Sequence, residues 1–397
     1  MPLEPANPAA TVITRRQTIA ALILGSVALL ILGLQPLLLG ELVAQHLVSL
    51  AGVGLVAMGE IIALGLGVVL GNSLLSPARL SGVTMAAGLL LALIDLLSLR
   101  LSGDTGFVIV RAGAGLVEGV LVWVTTSVIV RTQAPDRLVA IYLVTQTLAQ
   151  ATIAALLAAV VIPRLGWQGG FVVLAALSAA LAALAPALAP GLPRLLPEGS
   201  GLPPRSAATV VTFLVILSQM ATIGALWAYL DPLGRAAGLS ATEVGALISA
   251  VLLLQVAGGS TAALVVRRLN ARVVLISASL LMGSLAWSLH GPPSATAFCV
   301  LSAAFGFVWM FLMPFQVRLA FDADAAGRVA VLVPALQLLG TALGPLCASM
   351  FLVSQDDAHA VPGVCAGFAL VALCLLIAGR GYFGTREPIQ NQTGEES

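Results

Sequence analysis

Phe107-Val-Ile-Val-Arg111-Ala-Gly-Ala-Gly115-Leu-Val-Glu118-Gly119-Val-Leu-Val-Trp123-Val-Thr-Thr-Ser-Val-Ile-Val130 sets two opposite charges inside an otherwise uncharged, largely apolar run. A helix turns about 100° per residue, so seven residues return it to within roughly 20° of the same face. Arg111 and Glu118 therefore share a face, about 10 Å apart along the axis. At a bilayer centre each such charge costs on the order of 2.5–3.5 kcal/mol. Charges at that depth face a bundle interior or a wet cavity. The pair is then either part of a transport path or proton relay, or an ion pair that holds this helix to a neighbour.

The rest of the chain makes the membrane reading general. Hydrophobic residues are 59% of the sequence and charged residues 9%, against about 25% charged in a soluble domain. The mean hydropathy is +1.07. An all-α integral membrane protein follows. With about 20 apolar residues per crossing, twelve transmembrane helices are predicted, at roughly 18–39, 50–70, 80–99, 107–130, 138–161, 169–188, 207–229, 243–265, 272–289, 295–317, 329–352 and 362–380. The first has room to continue to Glu41, and Arg318 closely follows the tenth. Arg15-Arg16 precede an apolar run too long for a signal peptide's core, so the first helix is expected to be retained.

All 18 basic residues are arginines. With the N-terminus in the cytoplasm, Arg100, Arg164 and Arg235 fall outside, Arg111 lies in the membrane, and the others are cytoplasmic, as the positive-inside rule asks. Both termini are then cytoplasmic. The polar, proline-rich stretch 190–206 reads as a linker between an N-terminal six-helix bundle (1–189) and a C-terminal one (207–384), with a disordered tail at 385–397. The halves repeat. Gly52 aligns with Gly245, and Ala78-Arg79 with Ala271-Arg272. Arg137 and Gln146 are matched by Arg328 and Gln337. Two pseudo-symmetric six-helix bundles place a substrate site near the midplane between them.

Several local signatures resemble the major facilitator superfamily of transporters. Arg111 with Gly115 four residues on, in a glycine-rich helix, is similar to the family's fourth-helix motif. Pro135-Asp136-Arg137, Gly166-Trp167-Gln168-Gly169-Gly170-Phe171, and the region from Asp322 to Arg328 leading to Gln337 and Gly344-Pro345 are family-like too. The family's loop between helices two and three is only partly kept, as Gly71 and Arg79 without its Asp and first Arg. The Gly-Pro of helix five found in drug antiporters is missing. The resemblance implies a twelve-helix transporter working by alternating access, with proton coupling at the Arg that matches Arg111. It further implies that helices one, four, five, seven, ten and eleven line a central cavity.

Glu60, in the middle of the second span, is costly there unless it is paired, hydrated or protonated. It is a second candidate beside Glu118 and Arg111 for carrying protons. Asp95, with Arg100 five residues on, reads as a surface or interface group. Glu41, Asp231 and Glu243 read as solvated span ends, and Asp322 and Asp324 as a loop salt bridge or helix cap near Arg318 and Arg328. Tyr142, Thr145, Gln146 and Gln150 follow a helical stripe, with a shorter one at Gln337 and Thr341. On the helices the resemblance assigns to the cavity, Gln35, Gln219, Trp227, Trp309 and Gln316 are further candidates. Each amide is equally a contact between helices. Amides mixed with Trp and Phe suit a neutral or partly apolar small organic solute. Pro36, Pro314, Pro334 and Pro345 are expected to kink their helices.

The four cysteines fit no zinc or redox spacing, no metal or nucleotide motif is present, and His46, His290 and His359 are far apart. No cofactor, metal or enzymatic activity is expected. Partners are then the solute, protons and the lipid bilayer, with no nucleic acid, for a monomer in a bacterial inner membrane. The alternatives are a membrane sensor that binds without translocating, or an integral membrane enzyme.

Overall fold

The computed structural model describes residues 13–188, 191–192, 204–291, 293–352 and 358–382. Most of the linker expected at 190–206, and the tail expected at 385–397, lie outside these residues. Helices α1 (Arg15–Ala28) and α2 (Leu30–Ala44) form the first crossing. There follow α3 (Leu50–Leu74), α4 (Leu80–Ser98), α5 (Asp104–Ile129), α6 (Pro135–Leu156) and α7 (Ile162–Leu184). The second half has α8 (Ala207–Ala228), the short α9 (Leu230–Ala236), α10 (Ala241–Val265), α11 (Ala271–Ser288), α12 (Ala295–Ala323), α13 (Val333–Met350) and α14 (Ala360–Ala378).

Among the described residues eleven stretches are long and apolar enough to cross a membrane. The longest, Arg137–Ala187, has 51 residues and makes two crossings. They are divided at Gly166, whose φ of 66° belongs to no right-handed helix. Twelve crossings result, as the sequence predicts. Leucines such as Leu93 and Leu264, 63% and 77% exposed, face outward where acyl chains take the place of water. The first crossing and the tenth both extend past their expected ends. The first runs to Ala44, and the tenth to Ala323, with the Arg318 guanidinium donating to the carbonyls of Val266 and Leu269.

The two halves superimpose in sequence at a constant spacing. Ser49 caps α3 and Ser240 caps α10, each accepting from the backbone N–H three residues on. In the same register a Cβ on Gly67 would fall on the Leu116 carbonyl, and one on Gly258 on the Phe307 carbonyl. Gly33 lies against Gln150, and Gly224 against Thr341. Each of these pairs is 191 residues from its counterpart. That register corrects two expected matches. Gly54, not Gly52, corresponds to Gly245, and both approach the opposite half, Gly54 at Pro345 and Gly245 at Ala158. Gly52 instead makes room for the Asp104 carboxylate, which accepts from Ser49 N and Oγ at 2.7 and 2.6 Å. Arg79 precedes α4 where Asn270 caps α11, so Arg272 is not its counterpart.

The halves meet most extensively where α3 packs on α13 and α6 on α10, and they meet again on the face that carries few arginines. There α2 packs on α8, α9 and α10, whereas α1, nearer the arginine-rich end, packs on α5, α6 and α7. Pro36 sits inside α2 and has no N–H for the Leu32 carbonyl one turn back. The Trp227 indole of the other half donates to that carbonyl at 2.7 Å. The proline that loosens the helix thus creates the acceptor that joins the halves. Pro314 and Pro345 also lie inside helices, but Pro334 is in the first turn of α13, where a proline costs nothing and produces no kink.

Candidate functional site: a buried charge cluster

Gly115 and Gly119 are the reason α5 can lie directly on α3. A Cβ at Gly115 would fall on the Glu60 carbonyl, and one at Gly119 on the Leu64 carbonyl. This is the small-residue contact of membrane helices. It brings the Glu60 side chain of α3 to the face of α5 that carries Arg111 and Glu118. The same nine residues therefore supply both the charges and the close approach that joins them to a partner.

The Arg111 guanidinium donates from Nε to Glu60 Oε1 at 2.7 Å, and from a terminal nitrogen to the same oxygen. Its other terminal nitrogen donates to Asp95 Oδ1 on α4 at 2.8 Å. Glu118 Oε1 stands 3.5 Å away. Arg111, Glu60, Asp95 and Glu118 are 2%, 1%, 2% and 4% exposed, so water does not screen them. From α7, Ser178 Oγ donates to Asp95 Oδ2 at 3.2 Å, and the Phe171 ring lies 5.6 Å from the guanidinium carbon. Such a cation–π contact strengthens when desolvated. Gln35 of α2 lies beside Glu60. Glu118 Oε2 is buried without a hydrogen bond.

Of the two readings of Asp95, surface or interface group, the structure has the second, between α4, α5 and α7. Its partner is Arg111, not the adjacent Arg100, and it is as buried as the residues the sequence singled out. Glu41 and Asp231 are not solvated either; both are buried and paired with Arg235. Glu243 does remain exposed, closing a capping box on Ser240. Asp324 pairs with Arg328 at 3.0 Å, the loop bridge expected, and hydrogen bonds from Arg328 hold its carboxyl below the usual range.

Three amides of the second half, Gln219, Gln316 and Gln337, form one chain. Gln337 Nε2 donates to Gln316 Oε1 at 2.8 Å, and Gln316 Nε2 to Gln219 Oε1 at 3.0 Å. Gln219 Nε2 donates to Ser279 Oγ at 2.9 Å and to the Leu275 carbonyl at 3.3 Å. A carbonyl can only accept, so Leu275 fixes the direction of every bond in the chain. Thr341 Oγ1 donates back to the Gln337 carbonyl, and Gln150 Nε2 donates to the Leu29 carbonyl at 2.6 Å. Trp227 meets Trp309 edge-on at 5.5 Å. Tyr142 lies against Gly25 and Thr125, and its hydroxyl, like Gln146 Oε1, has no hydrogen bond. Thr145 of the same stripe is exposed.

The arrangement defines the class: a multi-pass membrane protein with the major facilitator fold, two six-helix halves, and a mid-span charge cluster confined to the first half. In the register of the repeat, Glu118 corresponds to Trp309 and Arg111 to Ser302. Solved structures agree. A mutant of the nucleoside transporter NupG is similar over 93% of this chain and 100% of its own, at a TM-score of 0.73 and 13% identity. A D-xylose–proton symporter matches over 91% and 95%, at 0.66 and 14%. A bacterial homologue of the human lysosomal transporter Spinster, in an inward-facing and unoccupied conformation, matches over 96% and 95%, at 0.60 and 14%. No family model matches the sequence, and no curated protein matches it either.

Proposed function

We propose that the chain is a secondary transporter that couples the movement of protons to that of a small neutral organic solute by alternating access. The observation that carries this reading is the cluster of three carboxylates around the single Arg111 guanidinium. Fully ionised, it holds two more negative than positive charges in a dry interior, where uncompensated charge is costly. A proton on Glu118, the carboxylate farthest from Arg111 and with a free oxygen, removes one of them. Glu60 and Asp95 hold the guanidinium in place, and Gln35 continues the polar surface toward the first helix. Nucleoside and sugar transporters among the similar folds support a neutral, polar solute. The arginine distribution supports cytoplasmic termini in a bacterial inner membrane. A monomer suffices, because each half completes the other.

The test starts with thermal-shift screening of the purified protein against sugars, nucleosides, aromatic acids and drugs. A ligand at a hundred times its dissociation constant adds about 2.7 kcal/mol of stability. Liposomes carrying a pH-sensitive dye then report whether the stabilising solute moves with protons. Glu118→Gln is expected to bind the solute and to lose proton movement. Proton-coupled flux at the normal rate in that variant would refute the role given to Glu118.

A further inference from the structure

A second charged group, unused by the cluster above, joins the two halves on the arginine-poor face. Arg235 on α9 donates from Nε to Asp231 Oδ1 at 2.6 Å, one turn back, and from a terminal nitrogen to Glu41 Oε1 on α2 at 2.5 Å. Glu41 belongs to the first half and the other two to the second. Gly40 makes the approach possible, because a Cβ there would fall on the Asp231 carboxyl. Asp231 is buried, yet it borders a cavity of about 230 Å3 with Gly40, Leu50, Arg235 and Ala358. That space admits water, and with it a proton. One guanidinium faces two carboxylates, so the group has one negative charge in excess.

We propose that Glu41, Asp231 and Arg235 form a proton-operated latch between the halves, with Asp231 as the group that takes the proton. The latch rests on the reading of two halves that rock against each other. Its sign follows from what surrounds Asp231. Helix α9 packs against α2, α8 and α10. Helix α8 has no charged residue, α2 has only Glu41, and the one charge of α10, Glu243, is held at Ser240 N and Oγ. Among the described residues, Arg235 and Glu41 are thus the charges that act on Asp231. Burial pushes its carboxyl up from 3.8 to about 6, against the pull of Arg235 and with the help of Glu41.

A carboxyl released into water by opening returns to 3.8. The proton therefore binds the closed latch more tightly, and by linkage acid favours closure. The advantage is complete below 3.8 and is lost as pH rises through about 6. Contact geometry gives the same sign. A protonated Asp231 no longer repels Glu41, and it leaves Arg235 to the cross-half pair. The two limiting values cap the change in the closed-to-open ratio at on the order of a hundredfold.

Spin labels at Q45C and T242C, exposed positions on this face in opposite halves, test the latch in nanodiscs with the four native cysteines replaced. The expected result is a short distance in acid giving way to a longer one as pH passes about 6. D231N should stay short at every pH, and E41Q should favour the long distance at every pH. A wild-type distribution indifferent to pH, or the same pH response in D231N, overturns the latch. If E41Q still opens the pair in that case, the rocking halves stand. A single distance in all variants and at all pH values overturns both. Hydrogen exchange of residues 229–240 in the unmodified chain, corrected for intrinsic rates, tests the same closure without cysteine replacement. Exchange should rise with pH in the wild type and not in D231N, and an equal rise in both overturns the latch.

Discussion

Replacing Arg111 by Gln keeps the volume of the side chain's inner part and removes the one positive charge of the buried cluster. In the native protein the guanidinium donates to Glu60 and Asp95 at 2.7 and 2.8 Å and stands 3.5 Å from Glu118. Removing one partner of a buried ion pair costs about 3–5 kcal/mol, because the other charge is left uncompensated. The contacts share one group and do not add, so a single such loss is the appropriate size. At about 2 °C per kcal/mol, the large-domain end of the range, the midpoint of thermal unfolding should fall by roughly 6–10 °C. Tryptophan fluorescence of the purified protein measures it. The companion variant carries Glu60→Gln and Asp95→Asn as well as Arg111→Gln, and should recover most of the loss because few charges remain to be compensated. Arg111→Lys should fall between, having the charge without the planar fork. An Arg111→Gln midpoint equal to the wild type, or a triple variant no better than the single one, would refute the account of the cluster as a mutually compensated set.

Gly115→Ala should cost about 1–3 kcal/mol by overpacking α5 on the Glu60 carbonyl, whereas Gly65→Ala, with no atom within 4 Å of the new carbon, should be neutral in the same unfolding assay. Gln316→Leu leaves Gln219 Oε1 and Gln337 Nε2 without their partner, at about 1–3 kcal/mol each; the variant with leucine at 219, 316 and 337 together should be more stable than that single change. Trp227→Phe should lose about 1 kcal/mol with its hydrogen bond, and Pro36→Ala in that background should restore part of it by supplying Leu32 with a backbone donor, a coupling that a double-mutant cycle reads directly.

The spans and the Arg111–Glu118 relation are legible in the sequence because both are periodic properties of a single helix. Glu60 is legible because a mid-span carboxylate is conspicuous by itself. Asp95 is misleading for a reason that applies broadly. Its neighbour in sequence, Arg100, is a plausible partner, while its actual partner, Arg111, comes from another helix whose approach nothing in the local sequence announces. Glu41 and Asp231 mislead in the same way, since span ends look solvated until the opposite half covers them. The repeat is visible in its true register at Arg137 and Gln146 with Arg328 and Gln337, but two residues out at Gly52 and Arg79, because a lone glycine or arginine match has no anchor. The serine caps at Ser49 and Ser240 fix the register physically. Among the amides, chemistry is legible and connectivity is not: nothing in the sequence says that Gln219, Gln316 and Gln337 satisfy one another.

Confinement of the mid-span charge cluster to one half has an electrical consequence. An elementary charge moved through the whole membrane potential exchanges about 2.3 kcal/mol per 100 mV. Wherever the excess charge around Arg111 changes with a proton bound or released, the field acts on the first bundle, while the second, whose corresponding positions are Ser302 and Trp309, is electrically inert at that depth. Voltage would then act as a torque on one body against a neutral counterpart, and under the proposed proton coupling the size of the current would report how far that body carries its proton through the field.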